Sequence, residues 1–481
     1  MKNKSIIKSL YLLSIIMGLV AVLPACGSGE ADGFADERFP IEENDCDSGQ
    51  CGADTVEEKT VKEIEESMDI TEKAVRKAIT EQQVMVSQKE FEQALNHEEL
   101  LETEHDIASL ELEQENIEEI IEVEVFESRI PDGLTIDLSY DQYPSGHNYA
   151  LIMTNTLNVR AEPAIEDNII SKVYYFEKVN LDAIVKGQYL EKYDSDLWYR
   201  ILWKDGEKIR EGFVFSELAQ ARTYQFDKMY EKVKLLKEEL DKNTTAYISN
   251  YKNINGRAPL FNGKVKDDLG TARSQSAPAY YDLDDKNEFR YLEDGTLLTI
   301  FGENDSKTHY NVRTIEEGLE FYVPKKYVSF SNSIEELTQA VVVDRKNQNE
   351  GVFEFVDGKW RLISYIFATT GAKAQYKMPT SLGYWMAIGT QPKFIYLDDI
   401  TKEVAGYAPY TTRFNAGAYI HGVPVNYSIV NGAKVDPGMK EYLFTIGTVP
   451  RSHKCVRNYT SHAKFLYDWI EIGKAAVIVI E

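Results

Sequence analysis

The sequence predicts a mainly β, multidomain chain whose first quarter is an acidic stalk, helical in part or disordered. Three observations carry that expectation. Short apolar segments separated by turn residues recur over 149–219, again over 279–330, and a third time from 341 onward. Beyond residue 130 a clear helical spacing appears in one stretch, 223–242. The net charge of −26 is concentrated early, with 32 acidic and 7 basic residues between Gly27 and Ser128. A chain of 481 residues has material for three or four domains with sizeable cores.

At the start, Lys2, Lys4 and Lys8 precede an apolar run from Leu10 that ends in Leu23-Pro24-Ala25-Cys26. A basic segment, an apolar run and a small-residue exit read as a signal peptide over 1–25. The run falls short of the about 20 apolar residues that a membrane-spanning helix requires. Its end resembles a bacterial lipobox, which implies removal of the peptide, lipidation of Cys26 and a protein held on a membrane in the extracytoplasmic cell envelope.

Residues 26–130 form the expected acidic linker. Val61, Ile64, Met68, Leu100, Leu101, Ile107 and Leu110 are compatible with helix, and no proline interrupts 57–128, but the spacing is too irregular for a coiled coil. Such a stretch repels nucleic acid and anionic polymers, so no nucleic-acid partner is expected. Cys46 and Cys51 are close enough to close a small disulfide loop in an oxidising compartment, with an unbridged, solvated linker as the alternative. Asp45-Cys46-Asp47 lacks the later ligands of a calcium loop. No metal or cofactor is expected anywhere in the chain.

From 140 to 222 the signals are strands, at 150–153, 179–185, 198–203 and 211–214. Leu157-Asn158-Val159-Arg160-Ala161-Glu162-Pro163, the Trp198 strand, the Lys204-Asp205-Gly206 turn and Gly212-Phe213-Val214 resemble a bacterial SH3-type domain. That resemblance implies binding to cell-wall peptide or polysaccharide, with a plain spacer barrel as the alternative. Over 223–250 Phe226, Met229, Tyr230, Val233, Leu236 and Leu240 share one face of a connecting helix. Asn255-Gly256, Ala258-Pro259 and Ser274-Gln275-Ser276 mark a loop over 252–278. Over 273–332, Tyr310-Asn311-Val312-Arg313 and Gly318 to Pro324 resemble, more loosely, a second SH3-like domain.

The last unit, 337–481, opens on a hairpin: Val352-Phe353-Glu354-Phe355, a turn at Asp357-Gly358-Lys359, and Trp360 to Ile366. Near its end, Arg451-Ser452-His453-Lys454-Cys455-Val456-Arg457 sets a thiol among basic and imidazole groups, preceded by Ile420-His421-Gly422. Positive charge beside a cysteine favours the thiolate, the reactive form. Nucleophilic cysteine chemistry also needs a histidine to move protons and backbone N–H groups to hold an oxyanion.

His421-Gly422, then Ser452-His453-Lys454-Cys455-Val456-Arg457, then a helix near Ala463 and the apolar strand Ala475 to Ile480, resemble the catalytic domain of the YkuD-like L,D-transpeptidases. The resemblance covers about Val341 to Glu481 and departs in two places. The family's usual glycine before the cysteine is Lys454, and the stretch between His421 and Ser452 is long, reading as an insertion over about 423–440. The implied fold is a β-sandwich with a packed helix, and the implied partner is the peptidoglycan stem peptide. The implied chemistry is attack by Cys455 on a tetrapeptide donor, release of D-alanine and transfer to an acceptor amine. His421 would be the proton carrier, and His453 would order the site. The backbone N–H groups of Lys454 and Cys455 would form the oxyanion hole, while Arg457, Ser452 and Gly422 would line the substrate side. His462, on the following helix, reads as a surface or packing residue. Two alternatives stay open: an L,D-carboxypeptidase of the same fold, and a non-catalytic wall-binding lipoprotein.

Overall fold

The computed structural model describes residues 120–481 apart from 128, 144, 206–207, 316–317, 375–376, 398–400, 402 and 431. The signal peptide, most of the stalk, and Cys26, Cys46 and Cys51 lie outside the described residues. What is described is mainly β, with two α-helices, α1 at Phe226–Lys242 and α2 at Thr460–Trp469.

The first sheet has eight strands drawn from 122–223. Its long strand Lys178–Leu190 alternates half-buried and buried residues over Lys178 to Val185, the period of two that puts Val179, Leu181, Ala183 and Val185 inside. Glu122–Val125 pairs along that strand. The helix-compatible spacing of 57–128 therefore gives way at its end to a strand. The reason is local: Glu-Val-Glu-Val alternates β-branched with charged residues and lies against an available strand edge.

The second sheet has seven strands and begins at Thr244–Ile248, inside the span expected to be connecting helix and loop. Ala246, Tyr247 and Ile248 are buried, so the chain leaves α1 directly into the new sheet.

The C-terminal part is two sheets face to face. One has six strands in the order Thr135–Ile136, Lys359–Phe367, Asn349–Val356, Gln339–Asp344, Ala475–Ile480 and Gly383–Met386. Gln339–Asp344 and Ala475–Ile480 run parallel. They are near-continuous apolar runs because both faces are covered. The hairpin between Asn349–Val356 and Lys359–Phe367 turns at Asp357 and Gly358, both at positive φ, as a tight two-residue turn requires.

On one face of this sheet Val341, Val343, Ile363 and Val477 meet Phe414, Ile420, Val456 and Leu466 of the second sheet and α2. On the other face Val342, Phe353, Leu362 and Ile478 meet Met229, Tyr230, Val233 and Leu236 of α1. The connecting helix is thus a cover for the C-terminal sheet. Replacing fully buried Leu236 by Ala is expected to destabilise the sandwich by about 2–5 kcal/mol, whereas the exposed Glu231→Ala changes little. Equal urea midpoints for the two variants would show that the helix is not part of the folded core.

Candidate active site

The second sheet of the sandwich holds the strands Val404–Asn415, Ala418–His421 and Val456–Arg457. Ala418–His421 and Val456–Arg457 pair in parallel, with Ile420 opposite Val456 and His421 opposite Arg457. Ile420 and Val456 both enter the core between the sheets. Alternation therefore turns Tyr419, His421 and Arg457 to the outer face, with Cys455 one residue ahead of its strand. The topology places His421 and Cys455, 34 positions apart in the sequence, on neighbouring segments, since Cys455 directly precedes the strand that pairs with Ala418–His421. Cys455 is a buried thiol, and its Sγ lies 3.9 Å from the carbonyl oxygen of Gly417. Beside it, the Tyr419 hydroxyl lies 3.2 Å from that of Tyr251. Burial, then Tyr251 and to a lesser degree Cys455, push the Tyr419 phenol well above its ordinary range.

His421 Nδ1 lies 2.6 Å from the carbonyl oxygen of Gly422. A carbonyl only accepts, so Nδ1 carries a proton, and in the neutral form of the ring the lone pair is on Nε2. The strand is held by the Asn458 N–H donating to the His421 carbonyl at 2.9 Å, and by the Gly422 N–H donating to Pro409 at 2.9 Å. Arg457 is fixed through its backbone, exchanging hydrogen bonds with Thr369 at 2.8 and 3.0 Å.

The segment 452–455 is a tight turn. The Ser452 hydroxyl donates to the Cys455 carbonyl, and the Cys455 N–H donates to the His453 carbonyl at 2.9 Å. Lys454, the middle residue, has φ +65°. That bond pattern with a positive φ belongs to the rarer, strained form of γ-turn, and it explains physically why glycine suits this position. The Lys454 N–H donates to Met378 at 2.9 Å, and its carbonyl accepts from Thr380 Oγ1 at 2.8 Å. Both amides expected to form the oxyanion hole are therefore engaged with carbonyls. Closure of the turn takes the Cys455 N–H, the Met378 carbonyl takes that of Lys454, and the Ser452 hydroxyl is committed to the turn. His453 is buried at its start.

The cationic surroundings also differ from the sequence reading. Lys454 turns its ammonium into an ion pair with Glu293, both side chains 11% exposed, so its charge is compensated. Arg451 lies over the ring of Phe176, 5.5 Å from its centroid. Glu293 stands 161 positions from Lys454 and no signal in the sequence pointed to it.

Residues 338–479 match the sequence model of the L,D-transpeptidase catalytic domain, YkuD. This part of the chain is an L,D-transpeptidase catalytic domain. No curated protein matches the chain. Among solved structures, a fused Zn-dependent amidase/peptidase/peptidoglycan-binding domain-containing protein from Clostridium acetobutylicum is 22% identical over 30% of this chain and 52% of its own, with a TM-score of 0.21. The chain thus spans about half the length of that relative. An Enterococcus faecium L,D-transpeptidase is 15% identical over 58% of this chain and 86% of its own, TM-score 0.25. Mycobacterium tuberculosis L,D-transpeptidase 3, in complex with a faropenem-derived adduct, is 18% identical over 34% and 73%, TM-score 0.23. Among the described residues no helix is long and apolar enough to cross a membrane, and no group of three or more His, Cys, Asp or Glu could hold a metal ion.

Within the transpeptidase domain, the expected insertion contains a hairpin, Ser428–Val430 with Ala433–Val435. Lys434 bonds Glu403 and the Val404 carbonyl at 3.0 and 2.9 Å, and the Tyr407 hydroxyl donates to Asp436 at 3.3 Å. These ties hold it to the start of Val404–Asn415, whereas Ala418–His421 pairs near the end of that strand.

A buried polar network lies beneath the site. Asn458 donates to Glu350, His462 Nδ1 lies 2.9 Å from Asn458 and 3.3 Å from Glu350, and its Nε2 lies 2.9 Å from the Ser364 hydroxyl. His462 is thus a packing residue of the transpeptidase domain, fully buried. Burial pushes the Glu350 carboxyl up from 4.5 to about 8, against the pull of Asn458, and pushes the His462 imidazole down from 6.5 to about 3. The raised Glu350 contributes stability below pH 4.5 that is lost as pH rises toward 8; the depressed His462 contributes stability above pH 6.5 that is lost as pH falls toward 3. The two slopes oppose between 4.5 and 6.5, so of this pair only the Glu350 contribution declines from about pH 6.5 to 8, and Glu350→Gln is expected to lose less stability than wild type over that window. Unfolding midpoints of wild type and variant that decline in parallel over this window would remove Glu350 as the cause.

Proposed function

We propose that the chain is a peptidoglycan L,D-transpeptidase with Cys455 as its nucleophile. The observation that carries the reading is the placement of His421, whose Nδ1–H donates to Gly422, on the strand that pairs with Val456–Arg457, the strand directly after the buried thiol of Cys455. Nε2 takes the Cys455 proton as sulfur attacks the carbonyl between the third stem residue and the terminal D-alanine. The same proton is returned to the leaving amine, so D-alanine departs and a thioester remains. An acceptor amine then attacks the thioester, gives its proton to His421, and restores the thiol as the new amide forms. Buried His453 orders the turn, and Arg457 pairs with a substrate carboxylate. Ser452 and Gly422 shape the substrate side through the turn and the strand end.

The eight-stranded unit over 122–223 serves as an SH3-type wall-binding module, and the second sheet as a further SH3-like unit. The acidic stalk gives reach from a lipid on Cys26. The protein would then act in the cell envelope. The deciding test is mass spectrometry after incubation with a defined stem tetrapeptide and an amine acceptor. Release of D-alanine with a new amide is expected. Release with only the hydrolysed tripeptide would make the enzyme a carboxypeptidase, and no release would leave a binding protein.

A further inference from the structure

The unit over 244–329 meets the transpeptidase domain at the turn Glu293-Asp294-Gly295, at Thr296 bridging Trp385, and at Tyr251. The Glu293 carboxylate pairs with Lys454 and accepts from Asn415 Nδ2 at 3.2 Å. Asp294 pairs with Arg413 at 2.5 Å, and its carbonyl accepts the Ala416 N–H at 3.2 Å. Gly295 has φ +89°, and a Cβ there would stand 2.0 Å from the Phe414 carbonyl oxygen, so this approach admits no side chain. Arg413 also lies over the Tyr251 ring at 4.3 Å, and Tyr251 reaches Tyr419 beside Cys455. The partner unit therefore grips both the 413–418 loop, whose Gly417 carbonyl faces the thiol, and the residue before the nucleophile.

We infer that Glu293 is a positioning residue for the nucleophile: by holding the Lys454 side chain it keeps the 452–455 turn in its left-handed form. The inference rests on the proposed role of Cys455. It follows from two facts taken together. Residue 454 must sit at positive φ, where a lysine is strained and a glycine is not. Its ammonium is anchored by a carboxylate from another unit instead of facing solvent. Burial raises the Glu293 carboxyl, but the charge of Lys454 and hydrogen bonds from Lys454, Ser381 and Asn415 outweigh it, so the group stays ionised.

The test is a double-mutant cycle in the full chain, with Glu293→Gln, Lys454→Gly and the pair together, read by acylation of Cys455 with a penem and by the pH profile of iodoacetamide alkylation. Cys455→Ser serves as the blank for the other thiols. Glu293→Gln is expected to slow acylation roughly tenfold or more, and the same change in the Lys454→Gly background to alter it less than about threefold, because glycine takes the turn unaided. The alkylation profile should move to lower pH in Glu293→Gln, which leaves Lys454 uncompensated, and to higher pH in Lys454→Gly, which leaves Glu293 unpaired.

Wild-type acylation in Glu293→Gln, or losses that multiply in the double variant, overturns the inference. If Glu293→Gln does not fold, the double variant, which carries no lone buried charge, decides: near-wild-type acylation supports the inference and tenfold slowing sinks it. Absence of any penem adduct on wild type refutes the transpeptidase reading instead. The opposed alkylation shifts then still report on the Glu293–Lys454 pair, and their absence overturns it.

Discussion

Cys455→Ala is expected to reduce acyl-enzyme formation to background, a loss of roughly a thousandfold or more, since the nucleophile has no substitute at its place on the sheet. Wild type should gain one adduct by intact mass when mixed with a penem or a stem tetrapeptide, and peptide mapping should place it on Cys455. The fold should survive. Cys455 contributes one small side chain to a tightly hydrogen-bonded turn, and Ser452 and His453 bond its backbone, not its sulfur. The other three cysteines precede the transpeptidase domain by more than 280 positions. An adduct forming on Cys455→Ala at the wild-type rate would move the chemistry elsewhere and end the proposed mechanism.

His421→Ala should follow closely, lowering acylation by about a hundredfold to ten-thousandfold, the usual contribution of a positioned acid–base group. The argument rests on the tautomer. Gly422 fixes the proton on Nδ1, so the nitrogen that remains to accept one is Nε2. His453→Ala should be less severe, because the turn is closed through the His453 carbonyl, which alanine keeps. Rapid mixing with a chromogenic β-lactam separates the two. Full acylation by His421→Ala together with its loss in His453→Ala would transfer the proton-carrying role to His453.

The parts of this architecture that could be read from the sequence are those governed by local rules. The Asp357-Gly358 turn announced its hairpin because tight turns need positive φ at two successive positions. The spacing of Phe226, Met229, Val233 and Leu236 gave the helix, and all four are buried. What the helix covers was not legible, because periodicity reports a face and not its partner. The same limit applies at the candidate site. A run of basic residues around a cysteine suggests a positive field, yet the direction of the Lys454 ammonium is decided by Glu293 in another unit. The Cys455 amide is engaged by the exact closure of a turn and the Lys454 amide by Met378 of a distant segment, neither of which side-chain identities encode. Glu122–Val125 was read within a helical spacing and is a strand, because a neighbouring edge outweighed weak local preference.

The strand Ala475–Ile480 is flanked on both sides, parallel to Gln339–Asp344 and antiparallel to Gly383–Met386. A ribosome delivers the chain from its N-terminus, so this inner strand emerges more than 330 residues after Thr135–Ile136, which borders the same sheet. Until then α1 and the hairpin at 349–367 have only part of their partner surface, and the apolar faces of the sheet stand open to water. Such long-range closure is slow and exposes sticky intermediates. A chain built this way cannot complete this sheet until Ala475–Ile480 has emerged, and its apolar faces are open to aggregation in the meantime.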